Sequence, residues 1–127
     1  MMRLDRDNCS ADQLYIQARA RWVKVVDCNI YDNEDMLTSV AALLKKARQQ
    51  NKHHLQSLVL LSDLMMVLGA NREAMEIVEA LVDLQPHNQT HARKKILLRK
   101  FQANQTDENR DAIRAFIESR WTETSDW

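Results

Sequence analysis

Two histidines four residues apart, His87 and His91 in the run His87-Asn88-Gln89-Thr90-His91, have the spacing that puts two imidazoles on one helical face and could hold a metal. The second position of that run is Asn88, and an amide cannot serve as the general base that a zinc hydrolase needs. Neither Cys9 nor Cys28 is near in sequence to complete a ligand set, so two solvated histidines after a helix break are expected and no metal site. His53 and His54 are adjacent, which points them about 100° apart on a helix and argues against joint chelation. There is no G-x-S-x-G turn for a nucleophile and no glycine-rich loop for a phosphate. No carboxylate pair stands out from ordinary charged helix faces. The expectation is a chain with no catalytic residues and no cofactor.

The strongest local charge is Arg93, Lys94, Lys95, Arg99 and Lys100, five cations with no acid between His91 and Gln102. The plain account is a solvated helix face whose lysines meet Glu76, Glu79 or Asp83 of the acidic segment before it, in exposed pairs that each contribute little. The functional account is a surface for an acidic partner. Nucleic acid is disfavoured, because 18 Lys plus Arg balance 18 Asp plus Glu and no aromatic residues are interleaved with the strip.

The elements that would carry these residues are helices. In 127 residues there is one Gly and one Pro, too few for hairpin turns or for the left-handed positions that most β architectures need. Ser10 with Gln13 reads as a capping box, followed by a helix over about 11–27 in which Tyr15, Trp22, Val23 and Val26 share a face and Arg21 and Lys24 look to solvent. Asn33 precedes a second helix, 34–50, with Met36, Leu37, Val40, Ala41, Leu44 and Ala47 at helical spacing. A third runs from Leu55 through Leu58, Leu61 and Leu64 to Leu68 and is closed by Gly69. A fourth starts at Asn71, buries Ala74, Ile77, Val78, Leu81 and Val82, and stops at Gln85-Pro86. A fifth covers 89–103 with Ala92, Ile96, Leu97 and Phe101 inward, and a sixth covers 107–121 with Ala112, Ile113, Phe116 and Ile117.

Sliding the chain by 38 residues lays Asn33-Glu34-Asp35-Met36 over Asn71-Arg72-Glu73-Ala74 and over Asn109-Arg110-Asp111-Ala112. A helix pair is too small to bury its own apolar face, so similar pairs stack into a continuous core, and about three make a unit that stands alone. From Leu55 to Pro86 the chain resembles a tetratricopeptide repeat, with Leu58, Leu61, Ser62 and Met65 at first-helix packing positions, then Gly69, Ala74, Val78, Leu81 and the closing Pro86. It departs from the family where Leu58 replaces the frequent Trp and where Lys24 and Lys100 fall on the flanking copies of the small Ser62.

The resemblance implies an all-α fold, three antiparallel helical hairpins stacked in a right-handed solenoid. Residues 1–9 are expected to be a flexible N-terminus, 10–121 the helical domain and 122–127 a polar tail. In that family the first helices line a concave groove, which here implies exposed Val59, Asp63, Met66, Lys94 and Leu97 and a buried stripe of Leu58, Leu61 and Leu64. The implied function is a noncatalytic adaptor or chaperone-like module holding a segment of another protein in the groove. The alternative is a nucleic-acid accessory protein acting through Arg93, Lys95, Arg99 and Lys100. The opening residues lack the apolar stretch of a secretory signal and the apolar run at 64–70 is too short to span a bilayer, so a cytoplasmic protein is expected. End hairpins that expose one flank leave self-association open.

Overall fold

Ser10 begins the first helix by satisfying an amide of its first turn: its Oγ accepts from the Gln13 N–H at 3.2 Å, and Gln13 Oε1 accepts from the Ser10 N–H at 3.2 Å. In the computed structural model, which describes residues 10–31 and 33–123, this opens α1, Ala11–Cys28. Five more helices follow: α2 Glu34–Gln50, α3 Leu55–Leu68, α4 Asn71–Leu84, α5 Gln89–Ala103 and α6 Asp107–Glu123. Among the described residues there is no strand. Residues 1–9 and 124–127, which hold most of the expected flexible N-terminus and polar tail, lie outside the described residues. The last helix continues through Thr122 and Glu123, two residues past the expected boundary.

Short polar side chains set most helix starts. Asn33 Oδ1 accepts from the Met36 N–H at 3.1 Å, and Asn88 Oδ1 accepts from the Thr90 N–H at 2.9 Å. Thr106 Oγ1 does the same for Asn109 at 3.2 Å. Gly69 turns the chain between α3 and α4 at φ +78°, the left-handed region that costs a glycine nothing. The three asparagines aligned by the 38-residue shift do not hold a common place. Asn33 caps α2, Asn71 is the first residue of α4 and Asn109 the third of α6, so the repeat drifts inward along successive helices.

Packing divides the chain into two units, one ending at Leu60 and one beginning at Leu61, with the change falling inside α3. In the first, Leu14, Tyr15, Ala18, Trp22 and Val25 of α1 face Leu37, Val40, Leu44 and Ala47 of α2, all buried, and the small Ala18 and Ala47 let the helices approach. Arg21 and Lys24 are exposed. His54 ties the chain back to α1: its Nε2 lies 2.6 Å from Asp12 Oδ1, its Nδ1 lies 2.8 Å from Ser57 Oγ, and its ring is tilted against Tyr15 at 6.1 Å.

In the second unit, Ala74, Ile77, Val78 and Leu81 form the buried stripe of α4, and α4 packs on α5, which packs on α6. The inward face of α5 differs from the expected one. Ala92 is exposed and Ile96 is 56 % exposed, while His91, Lys94, Leu98 and Phe101 are buried. At about 100° per residue, Lys94 lies about 160° round the helix from Ile96, so a face that buries Leu98 and Phe101 must bury Lys94. From α6 the buried residues are Ile113, Ile117 and Trp121, with Phe116 half-buried and Ala112 exposed.

Candidate functional site

Asp63 sits in α3 between Ser62 and Leu64, on a helix that is apolar almost all round, and it is fully buried. A carboxylate in such a place must be paired or neutral, because an isolated buried charge costs several kcal/mol. It is paired from two helices. Lys94 of α5 reaches Asp63 Oδ1 at 2.7 Å and donates to Ser62 Oγ at 2.7 Å. Arg120 of α6 donates from Nη1 to Oδ1 at 2.9 Å and to Oδ2 at 2.7 Å, and Trp121 Nε1 donates to Oδ2 at 2.8 Å. The Arg120 guanidinium also lies over the rings of Phe116, 5.7 Å away, and Trp121, 6.0 Å away.

One carboxylate thus serves two cations. Burial alone would raise the Asp63 carboxyl, but Lys94 and Arg120 outweigh it and hold the group below its ordinary value. Lys94 is moved the other way: burial pushes its ammonium down to about 8, against the attraction of Asp63 and with help from Arg120. His91, one turn before Lys94, is lowered to about 4 by burial and by the same two cations. Its Nε2 lies 2.8 Å from Gln85 Oε1, an acceptor, which sets the proton on Nε2 and leaves Nδ1 buried without a partner. The cluster is a neutral imidazole beside an excess of positive charge.

These contacts correct the groove expectation. Asp63 and Lys94 are inside and bonded to one another, and Val59 and Met66 are buried too, at 9 % and 4 % exposure; only Leu97 is partly open. For Asp63 the physical reason is occupancy: the C-terminal turn of α6 lies over it and supplies donors to Oδ2. Leu58, Leu61 and Leu64 are buried. The basic strip loses Lys94 to the core and keeps Arg93, Arg99 and Lys100 exposed and Lys95 half-buried. Among the described residues no ion pair joins that strip to Glu76, Glu79 or Asp83.

Arg120 and Trp121 were not legible as site residues. Trp121 lies at the end of an ordinary apolar helix stripe, and nothing near Arg120 marks it. Asp63 itself carried a signal, a single acid within the run from Leu55 to Leu68, which demands a distant cation. The metal candidates separate: His87 is exposed and His91 buried on Gln85, His53 is exposed and His54 faces Asp12, and Cys28 is exposed. Among the described residues no three His, Cys, Asp or Glu side chains are gathered to hold a metal ion, and no helix is long and apolar enough to cross a membrane.

The helical hairpins and their small crossing residues define a class, the helical-repeat proteins. Residues 34–96, from the start of α2 to the middle of α5, match the tetratricopeptide repeat family. The chain is a tetratricopeptide-repeat-like protein, and repeats of this family generally mediate protein–protein interactions. Neither a search of curated proteins nor one of solved structures returned a match.

Proposed function

We propose that this chain is a noncatalytic protein-interaction module, an adaptor or chaperone-like component of the cytoplasm, that holds an acidic amphipathic segment of a partner protein on the exposed face of α5. One observation carries the reading. Ile96 is 56 % exposed, and Arg93, Arg99 and Lys100, all exposed, fall within about 60° of it round the helix. An isolated exposed isoleucine is ordinary, but one flanked by three cations on a helix that contains no Asp or Glu suits a partner helix that offers an apolar residue among carboxylates. The charges steer and orient the partner, and the apolar contact adds affinity that salt does not screen.

Nucleic acid on the same basic face is the competing reading, and Ile96 distinguishes the two. Fluorescence anisotropy would be measured for the full chain with a labelled Glu/Leu helical peptide and with single-stranded DNA of equal charge. The peptide should bind, with affinity lost at least tenfold both in Arg93→Glu/Lys100→Glu and in Ile96→Ser. Binding of DNA alone, with a steep salt dependence and no response to Ile96→Ser, would move the nucleic-acid reading ahead.

A further inference from the structure

The exposed strip of α5 has its complement on the helix before it. Arg93 and Lys100 stand two helical turns apart, about 10.5 Å, on one line of α5, with the exposed Ile96 between them. On α4, Glu76 and Asp83 stand the same two turns apart, on the side away from the buried stripe of Ala74, Ile77, Val78 and Leu81. Glu79 and the half-buried Ala80 lie between those two acids, and Glu76, Glu79 and Asp83 are all exposed. The cation of α4 is Arg72, one turn before Glu76 and outside the matched interval.

Within one chain these two faces do not meet. Among the described residues neither Arg93 nor Lys100 is paired with an acid, and neither Glu76 nor Asp83 with a base. Both faces turn their charges to solvent. The chain as a whole balances 18 Lys plus Arg against 18 Asp plus Glu, so near neutral pH two copies have no net repulsion to keep them apart. Segregation of the charge onto two helices then gives each copy an acidic face and a basic face of the same spacing.

We propose that the acidic amphipathic helix held by the α5 strip is α4 of a second copy of this chain. This rests on the reading of the strip as a site for such a helix, and it names the occupant. Laid side by side in the same direction, the two helices set Glu76 against Arg93 and Asp83 against Lys100, because both pairs span the same two turns. Ile96 then falls between the acids, where the small Ala80 leaves room, and Arg72 falls beyond Arg93. The contact is heterologous, α4 of one copy on α5 of the next, so it adds further copies unless the rotation closes a ring. Its ion pairs are exposed, which makes the association weak and sensitive to salt. A strip covered by a second copy is closed to any other acidic partner, so self-association sets a threshold that such a partner must exceed.

Sedimentation velocity on the full chain tests this. From about 20 to about 500 µM in about 20 mM NaCl the mean sedimentation coefficient should rise with concentration, and in about 0.5 M NaCl it should stay at the monomer value. Arg93→Glu/Lys100→Glu and Glu76→Lys/Asp83→Lys, all at exposed positions, should each weaken association at least tenfold with an unchanged helical signal by circular dichroism. An equimolar mixture of the two variants should associate again, since each supplies the face that the other has reversed. The Glu/Leu helical peptide should break up assemblies of the unaltered chain. A mixture that does not recover, or assemblies that persist with peptide bound, overturns the proposal. Peptide bound by a chain that stays monomeric at every concentration overturns the second copy as occupant and leaves the reading of the strip standing, whereas neither peptide binding nor association overturns both.

Discussion

Replacing Asp63 by asparagine should be far more damaging than replacing Lys94, although the two are partners in one ion pair. Asp63 is fully buried and accepts from Lys94, Arg120 and Trp121, so Asp63→Asn leaves two cations facing each other across a neutral amide. Removing one partner from a buried, hydrogen-bonded pair costs about 3–5 kcal/mol. Lys94→Met fills a similar volume and leaves the carboxylate with Arg120 at 2.7 Å and Trp121 at 2.8 Å. Because burial outweighs Asp63 and lowers the Lys94 ammonium to about 8, the charge of Lys94 is held there at a cost, and its removal should change stability by no more than about 1 kcal/mol in either direction. Urea titration followed by circular dichroism reads both. With an m-value of about 1.5–2 kcal/mol/M, Asp63→Asn should lower the midpoint by about 1.5–3.3 M, and Lys94→Met by less than about 0.7 M. The difference should survive 1 M NaCl, at which exposed pairs are screened over about 3 Å and buried ones much less. Equal losses in the two variants, or a loss below about 1 kcal/mol for Asp63→Asn, would refute the assignment of the carboxylate as the hub.

His91 sets a pH dependence whose sign follows from its lowered value. The folded chain binds this proton only near pH 4 and the unfolded chain near 6.5, so folding stability should fall as pH drops through that window, by on the order of 3 kcal/mol in all. Melting temperatures between pH 7 and pH 4 should decline less steeply for His91→Gln, and parallel curves would refute it. Ala74 is fully buried in α4 whereas Ala70 is only partly buried in the turn before it, so Ala74→Leu should cost about 1–3 kcal/mol and Ala70→Leu little, by chemical denaturation.

Helix count and most helix ends were legible because they are decided locally. Ser10 with Gln13, Asn33, Gly69 and the Gln85-Pro86 stop act within a turn of their own positions, and each is where the structure begins or ends an element. The orientation of α5 was not legible. Ala92 and Ile96 offer apolar residues at helical spacing on one side, against His91, Lys94, Leu98 and Phe101 on the other, and counting hydrophobes cannot choose between them. The choice falls to partners elsewhere in the chain: a lysine becomes a core residue only if a carboxylate waits for it, and Arg120, 57 residues from Asp63, completes the set. The same distance hid the site. Asp63 and Lys94 read as exposed groove residues because the partners that bury them, Arg120 and Trp121, lie far along the chain in a helix that looks largely polar.

The span between Asp63 and its last donor sets an order of events during synthesis. Trp121 follows Asp63 by 58 residues, an interval of about 3–12 s at a ribosomal rate of about 5–20 residues per second. Throughout that interval the nascent unit has its carboxylate and, later, Lys94, but neither donor for Oδ2. The unit therefore passes through a stage in which its Asp63 face is open to solvent. Closure by α6 ends that stage, so a nascent chain stalled before Arg120 emerges is the natural form in which to find that face uncovered.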